Sequence, residues 1–252
     1  MIKRLVQVVA AFITGLVVVV FGVGGGIILI PVLLFTGIKT KKTVGTSLAV
    51  ITFVTLSGTL QHFHMKTFIA SQDNLYLLGA GVLGAIAGSI FLSASKSKVI
   101  TYLIITYFYI MGTVMILNSL FINAEFIYDL PHGAFWGAGA FTGFVSSSLG
   151  IGGGAVLTPI MMYMFDISTK EAIGIIMPFM FILLSAATLI NMKNKLIDYT
   201  SFLFMAPAAV AGTLAAYIYY NSISNLHIQI GIGILLLVNA ISITARYISK
   251  NP

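Results

Sequence analysis

The stretch Phe21-Gly22-Val23-Gly24-Gly25-Gly26-Ile27-Ile28-Leu29-Ile30-Pro31 returns, 128 residues later, as Leu149-Gly150-Ile151-Gly152-Gly153-Gly154-Ala155-Val156-Leu157-Thr158-Pro159. Four glycines and a proline fall on the same places in both copies. Each copy sits inside an apolar run of more than thirty residues, 5–36 and 133–165. A glycine triplet weakens a helix, each Gly costing about 1 kcal/mol relative to Ala. Each run is therefore either one long tilted helix or two half-helices folded back at the glycines.

The rest of the chain defines the solvent. Hydrophobic residues make up 59% of it and charged residues 8%, and the mean hydropathy is +1.06. A soluble domain carries about a quarter of its residues as charges, so the medium here is lipid. Six further segments fit one helical crossing each, since about 20 apolar residues span the hydrocarbon core: 44–60, 75–94, 99–120, 172–190, 202–220 and 228–245. The opening Met1-Ile2-Lys3-Arg4 imitates a signal peptide. No small-residue cleavage site follows it, so it reads as the start of the first membrane segment.

Lysines and arginines choose between the two readings of the long runs. If each run crosses once, Lys3, Arg4, Lys66, Lys193, Lys195, Arg246 and Lys250 face Lys39, Lys41, Lys42, Lys96, Lys98 and Lys170, with no bias. If each run is re-entrant, only Lys66 and Lys170 stand opposite the other eleven. The second partition is the asymmetry that the positive-inside rule expects. It also accounts for the net charge of +7 without nucleic acid, for which no basic patch interleaved with aromatics is present.

Val44-Gly45 resembles Ile173-Gly174, and Ala87-Gly88 resembles Ala211-Gly212. Each half then holds one broken hairpin and three crossings, an odd number, so the second half enters the membrane upside down. The expected fold is an all-α polytopic membrane protein of two inverted-topology repeats. Residues 1–122 form the first and 123–252 the second, together one integral membrane domain. Both termini are expected in the cytoplasm, in a multi-pass protein of the cell (inner) membrane.

After each triplet a helix restarts, and its first N–H groups lack intrahelical acceptors. Two such ends meeting near the midplane would bind an anion without a buried cation. The alternative is that the glycines serve close helix packing alone. Paired motifs in corresponding positions favour the first reading.

The glycine motifs, the stretch Val44-Gly45-Thr46-Ser47-Leu48-Ala49, and Gly58 followed by His62 resemble the TauE/SafE family of sulfite exporters over nearly the whole chain. That resemblance implies export of sulfite or a small organosulfonate across a bacterial inner membrane. In one respect the halves differ: Thr46-Ser47 in the first is Ile175-Ile176 in the second, so hydroxyl ligands there are one-sided. Ser146, Ser147 and Ser148 are placed to compensate. The expected substrate-binding residues are Gly24, Gly25, Gly26, Thr46, Ser47, His62, Ser148, Gly152, Gly153, Gly154 and Asn191.

An unperturbed histidine titrates near neutrality, which makes His62 a candidate gate or proton carrier, against the plainer reading of an interfacial helix end. Asn191 takes the matching place in the second half. Asn118 and Asn239 read as interhelical hydrogen-bonding residues, and His132 and His227 as loop residues. Glu125, Asp129, Asp166, Glu171 and Asp198 lie at loops or span ends, which argues against a carboxylate proton relay. Tyr102, Tyr107, Tyr109, Tyr217, Tyr219 and Tyr220 suit interface belts or packing, and Met161, Met162 and Met164 core filling. No cysteine is present and no His/Asp/Glu constellation gathers at depth, so neither an enzyme, a metal site nor a cofactor is expected. The expected partners are a small anion and the bilayer. The anion, the direction of flux, the coupling ion, carrier against channel, and assembly as a monomer or a homo-oligomer stay open.

Overall fold

The computed structural model describes residues 2–64, 72–117, 133–164, 169–218 and 225–250. Lys66, Asn118, Glu125, Asp129, His132, Asp166, Tyr219 and Tyr220 lie outside them, as does the expected boundary between residues 122 and 123. The described residues form ten helices: α1 Ile2–Phe21, α2 Gly26–Phe35, α3 Thr40–His64, α4 Gln72–Ala94, α5 Ser97–Leu117, α6 Gly133–Leu149, α7 Gly154–Met164, α8 Thr169–Lys193, α9 Tyr199–Tyr217 and α10 Asn225–Lys250. Six are long and apolar enough to cross a membrane, starting with α1.

Both long runs break at their glycines, but into unequal pieces. α1 has 20 residues and α2 only 10, so α1 alone reaches about 30 Å at 1.5 Å per residue. Backbone geometry explains where the break falls. Gly22 and Gly150, equivalent across the repeat, have φ of 63° and 77°, a left-handed conformation that only glycine adopts freely. Beyond the elbow, α2 runs back along α1. Gln7 Nε2 donates to Thr36 Oγ1 at 2.9 Å, which ties the end of α2 to the second turn of α1.

α3 and α8 form the centre: 78% of the α3 span is buried, against 28% for α5. They run antiparallel. The Asp198 N–H beyond α8 donates to Thr46 Oγ1 near the α3 start, whereas Gly58, late in α3, lies against Met177, early in α8. Thr52 and Thr188 hydroxyls bond between them at 3.1 Å. Around this pair, α1 packs along α9 and α6 along α4. Lipid takes the place of water outside, where Leu75, Leu83, Ile90, Ile110, Leu203, Leu214 and Ile241 are exposed.

These contacts come in reciprocal pairs. A Cβ at Gly15 would overlap the Ala209 carbonyl oxygen, and one at Gly143 the Gly81 carbonyl oxygen. One at Gly212 would overlap Phe12 O, and one at Gly84 Ala140 O. Adding 128 to the first-half member of one contact and subtracting 128 from its second-half member gives the other contact of the pair, so Gly84 is the mate of Gly212. The sequence match of Ala87-Gly88 with Ala211-Gly212 is thereby corrected by four residues. The slip is one helical turn, and it keeps the same face; Gly84 and Gly88 both lie against α6, so composition could not tell them apart.

Basic residues gather at one end of the bundle. Lys3 Nζ lies near Gly37, Lys41 Nζ donates to Ser93 O at 2.6 Å, and the Arg4 guanidinium stacks over Phe204. Lys98 stands with Tyr247 around one cavity at this same end.

Candidate functional site

The elbows meet each other inside the bundle. The Gly26 N–H donates to Ile151 O at 3.1 Å. A Cβ at Gly24 or Gly26 would overlap the backbone of residues 150–152, and one at Gly154 would overlap Gly22 O. Gly152 abuts the Gly24 Cα. Four of the six triplet glycines are thus spent on elbow-to-elbow packing, and in this state no ligand fits between them. The central pair differs. Gly25 faces the side chains of Thr14, Val18 and Ile51, and Gly153 those of Thr142, Met180 and Leu183.

The helix starts differ too. On α2, Gly26 donates to Ile151 O, Ile27 to Gly24 O, and Ile28 and Leu29 to Gly25 O, which accounts for all four N-terminal donors. On α7, Val156 and Leu157 donate to Gly153 O, while Gly154 and Ala155 have no acceptor among the described residues. The positive end of α7 is the more open of the two.

Polar groups repeat this asymmetry. Thr14 and its mate Thr142 both stand eleven residues before the central glycine of their triplets, and both are fully buried. Thr14 donates to Ala10 O at 2.7 Å, the usual way a helix absorbs a hydroxyl; Thr52, Thr55 and Thr59 do the same. The hydroxyls of Thr142, Ser146 and Ser147 are fully buried and have no partner among the described residues. Their first-half counterparts are Thr14, Val18 and Val19. Thr142 and Ser146, four residues apart, share a face of α6, and Thr142 Cγ2 would lie 3.3 Å from a Cβ at Gly153.

Other expected site residues have structural duties. Ser47 Oγ donates to Gly150 O at 3.0 Å, joining α3 to the second elbow. Its neighbour Thr46 accepts the Asp198 N–H at 2.8 Å. Ser148 Oγ donates to Phe144 O at 2.7 Å. Thr158, which was not among the expected site residues, bonds Gly22 O through its Oγ1 at 3.3 Å. His62 and Asn191 are both fully buried, but they occupy the last turns of antiparallel helices and so lie at opposite ends. His62 is 15 residues beyond Ser47, about 22 Å along the axis. Asn191 lies at the α3-start end, as the second elbow does, and neither atom of its amide has a partner among the described residues.

Sequence reasoning thus passed over Thr142 altogether. Its signal was the shared spacing of a threonine eleven residues ahead of each triplet centre.

A lipid-facing helical bundle wrapped around two interlocked broken hairpins, with polar groups buried at one elbow, is the build of a multi-pass membrane transporter. The sequence model of the family described as "Sulfite exporter TauE/SafE" matches residues 7–243, and the chain belongs to that family. It is 28% identical over 242 residues to the probable membrane transporter protein YunE of Bacillus subtilis, covering 82% of this chain and 85% of that one. It is also 28% identical over 180 residues to the probable membrane transporter protein MJ0441 of Methanocaldococcus jannaschii, covering 67% and 64%. With YjnA of Bacillus subtilis, another probable membrane transporter protein, identity is 22% over 213 residues, 79% of this chain and 84% of that one. No solved structure matches at a significant level.

Proposed function

We propose that the chain transports a small oxyanion, sulfite or an organosulfonate, held beside the second elbow rather than between the two. The observation that carries this is the trio of buried hydroxyls of Thr142, Ser146 and Ser147, which have no partner among the described residues. A buried donor without a partner costs about 1–3 kcal/mol, and native structures keep such groups where a ligand or ordered water answers them. Here three hydroxyl donors stand on the helix leading into the elbow from which α7 restarts. Donors of that kind replace the hydration of an anion without a buried cation. The Asn191 amide, at the same end of the bundle, adds two further donor hydrogens. A family described by sulfite export fits this chemistry.

The same reading makes both hairpins re-entrant and the halves inverted. The Gln7–Thr36 bond, the reciprocal contacts and the gathering of basic residues at one end support it; that end is then cytoplasmic, with both termini. Closing the elbows on each other seals the path in this state, and transport requires one hairpin to shift against the other.

Reconstituted into proteoliposomes, the protein should give saturable sulfite flux, with small sulfonates competing and a cation such as choline not competing. Flux that rises linearly without saturation, or that no anion in the panel inhibits, would contradict the proposal.

A further inference from the structure

The cavity beside Lys98 and Tyr247, of about 370 Å³, opens at the basic end of the bundle, away from the elbows. Its polar wall is Lys39, Thr40, Ser97, Lys98, Thr101 and Tyr247. Leu34, Ile38 and Ile243 give it an apolar lining as well. None of the described lining residues is acidic, so the cavity's described wall carries the two lysines' charge without a carboxylate beside them. Two helices begin here as well, α3 at Thr40 and α5 at Ser97, and each turns its positive end towards the cavity. Thr40 and Thr101 hydroxyls meet at 3.3 Å, which joins the two helix starts into one rim. Both lysines are exposed, and the apolar Val99 and Ile248 close by are exposed too. The cavity therefore lies at the boundary between water and hydrocarbon.

We infer that this cavity binds a phosphate group carried as the headgroup of an anionic lipid. Two ammonium groups, hydroxyls and two helix N-termini answer the phosphate. The apolar lining answers the glycerol and the first acyl carbons, which a free phosphate would leave uncovered. Basic pockets between membrane helices on the cytoplasmic side take anionic headgroups on these grounds. Such a lipid would tie α3 to α5 and to the end of α10, at the base of the hairpin formed by α1 and α2.

Native mass spectrometry in detergent tests this with dioleoyl-phosphatidylglycerol, dioleoyl-phosphatidylcholine and inorganic phosphate as separate probes. Wild type should retain phosphatidylglycerol over phosphatidylcholine. The Lys39→Gln/Lys98→Gln variant should lose that preference by about tenfold or more, with Lys39→Arg/Lys98→Arg restoring it. A Lys193→Gln/Lys195→Gln control removes two exposed charges from the same end and should keep the preference. Because the substituted side chains are exposed, an unchanged melting temperature in phosphatidylcholine will show that the fold is intact. Equal phosphatidylglycerol retention in wild type and Lys39→Gln/Lys98→Gln would overturn the inference, as would an equal loss in the control. Capture of inorganic phosphate with no preference for phosphatidylglycerol would overturn the lipid assignment.

Discussion

Glycines at the elbows and glycines on the lipid face look alike in the sequence, yet they respond oppositely to a methyl group. Gly154→Ala places a Cβ on the Gly22 carbonyl and Gly26→Ala on the Gly150 carbonyl. Backbone on both sides leaves little room to relax, so each should cost about 3 kcal/mol or more, the upper range for overpacking. Gly79→Ala meets nothing within 4 Å and should be neutral or stabilising by up to about 1 kcal/mol. Thermal unfolding in detergent separates the two groups; equal melting temperatures for Gly154→Ala and Gly79→Ala would refute the elbow packing. The triplets were legible because no helix needs them. Which hydroxyls go unanswered was not, since Thr14 and Thr142 carry the same label and only the neighbouring carbonyls decide whether the helix absorbs them.

At the scale of elements, the break in each long run was legible, because a glycine triplet interrupts an otherwise uniform apolar pattern. The inequality of the pieces was not, since nothing in the apolar composition of 5–36 says that α1 takes twenty residues. The one-turn slip between α4 and α9 has the same origin: small residues spaced by four present one face whichever turn is chosen. The hairpin of α1 and α2 is open to direct test because the chain has no native thiol. Gln7→Cys/Thr36→Cys, replacing side chains whose ends bond at 2.9 Å, should be joined by a short bifunctional thiol crosslinker that spans the length of the lost glutamine side chain. Single cysteines at Lys3 and Lys41 should then react with an impermeant maleimide from the same membrane face. Reaction from opposite faces would mean that the first run crosses fully, and the inverted repeat would fall with it.

Across the whole molecule, two nearly equivalent halves interlock, but their chemistry is unequal. The second elbow has Thr142, Ser146 and Ser147 leading into it and Ser47 bonded to it. The first has Thr14, Val18 and Val19 in the matching places, with the Thr14 hydroxyl already bonded to its own helix, and Thr158 bonded to Gly22 O. The duplication and the one-sided Thr46-Ser47 pair were both visible in the sequence. That the serines before the second elbow enlarge this polar side, instead of balancing it, needed the crossing of α3 onto Gly150. The inequality makes the central claim testable with paired substitutions at equivalent positions, read as the concentration dependence of sulfite flux in proteoliposomes. Losing one hydrogen bond to an anion costs about 1.5–3 kcal/mol, so Thr142→Val and Ser146→Ala should each raise the half-saturating concentration about tenfold to a hundredfold. Thr14→Val, the mate of Thr142→Val, should leave it within about twofold, since the Thr14 hydroxyl is already bonded to its own helix. Equal effects at Thr14 and Thr142, or none at Thr142 and Ser146, would contradict a site at the second elbow.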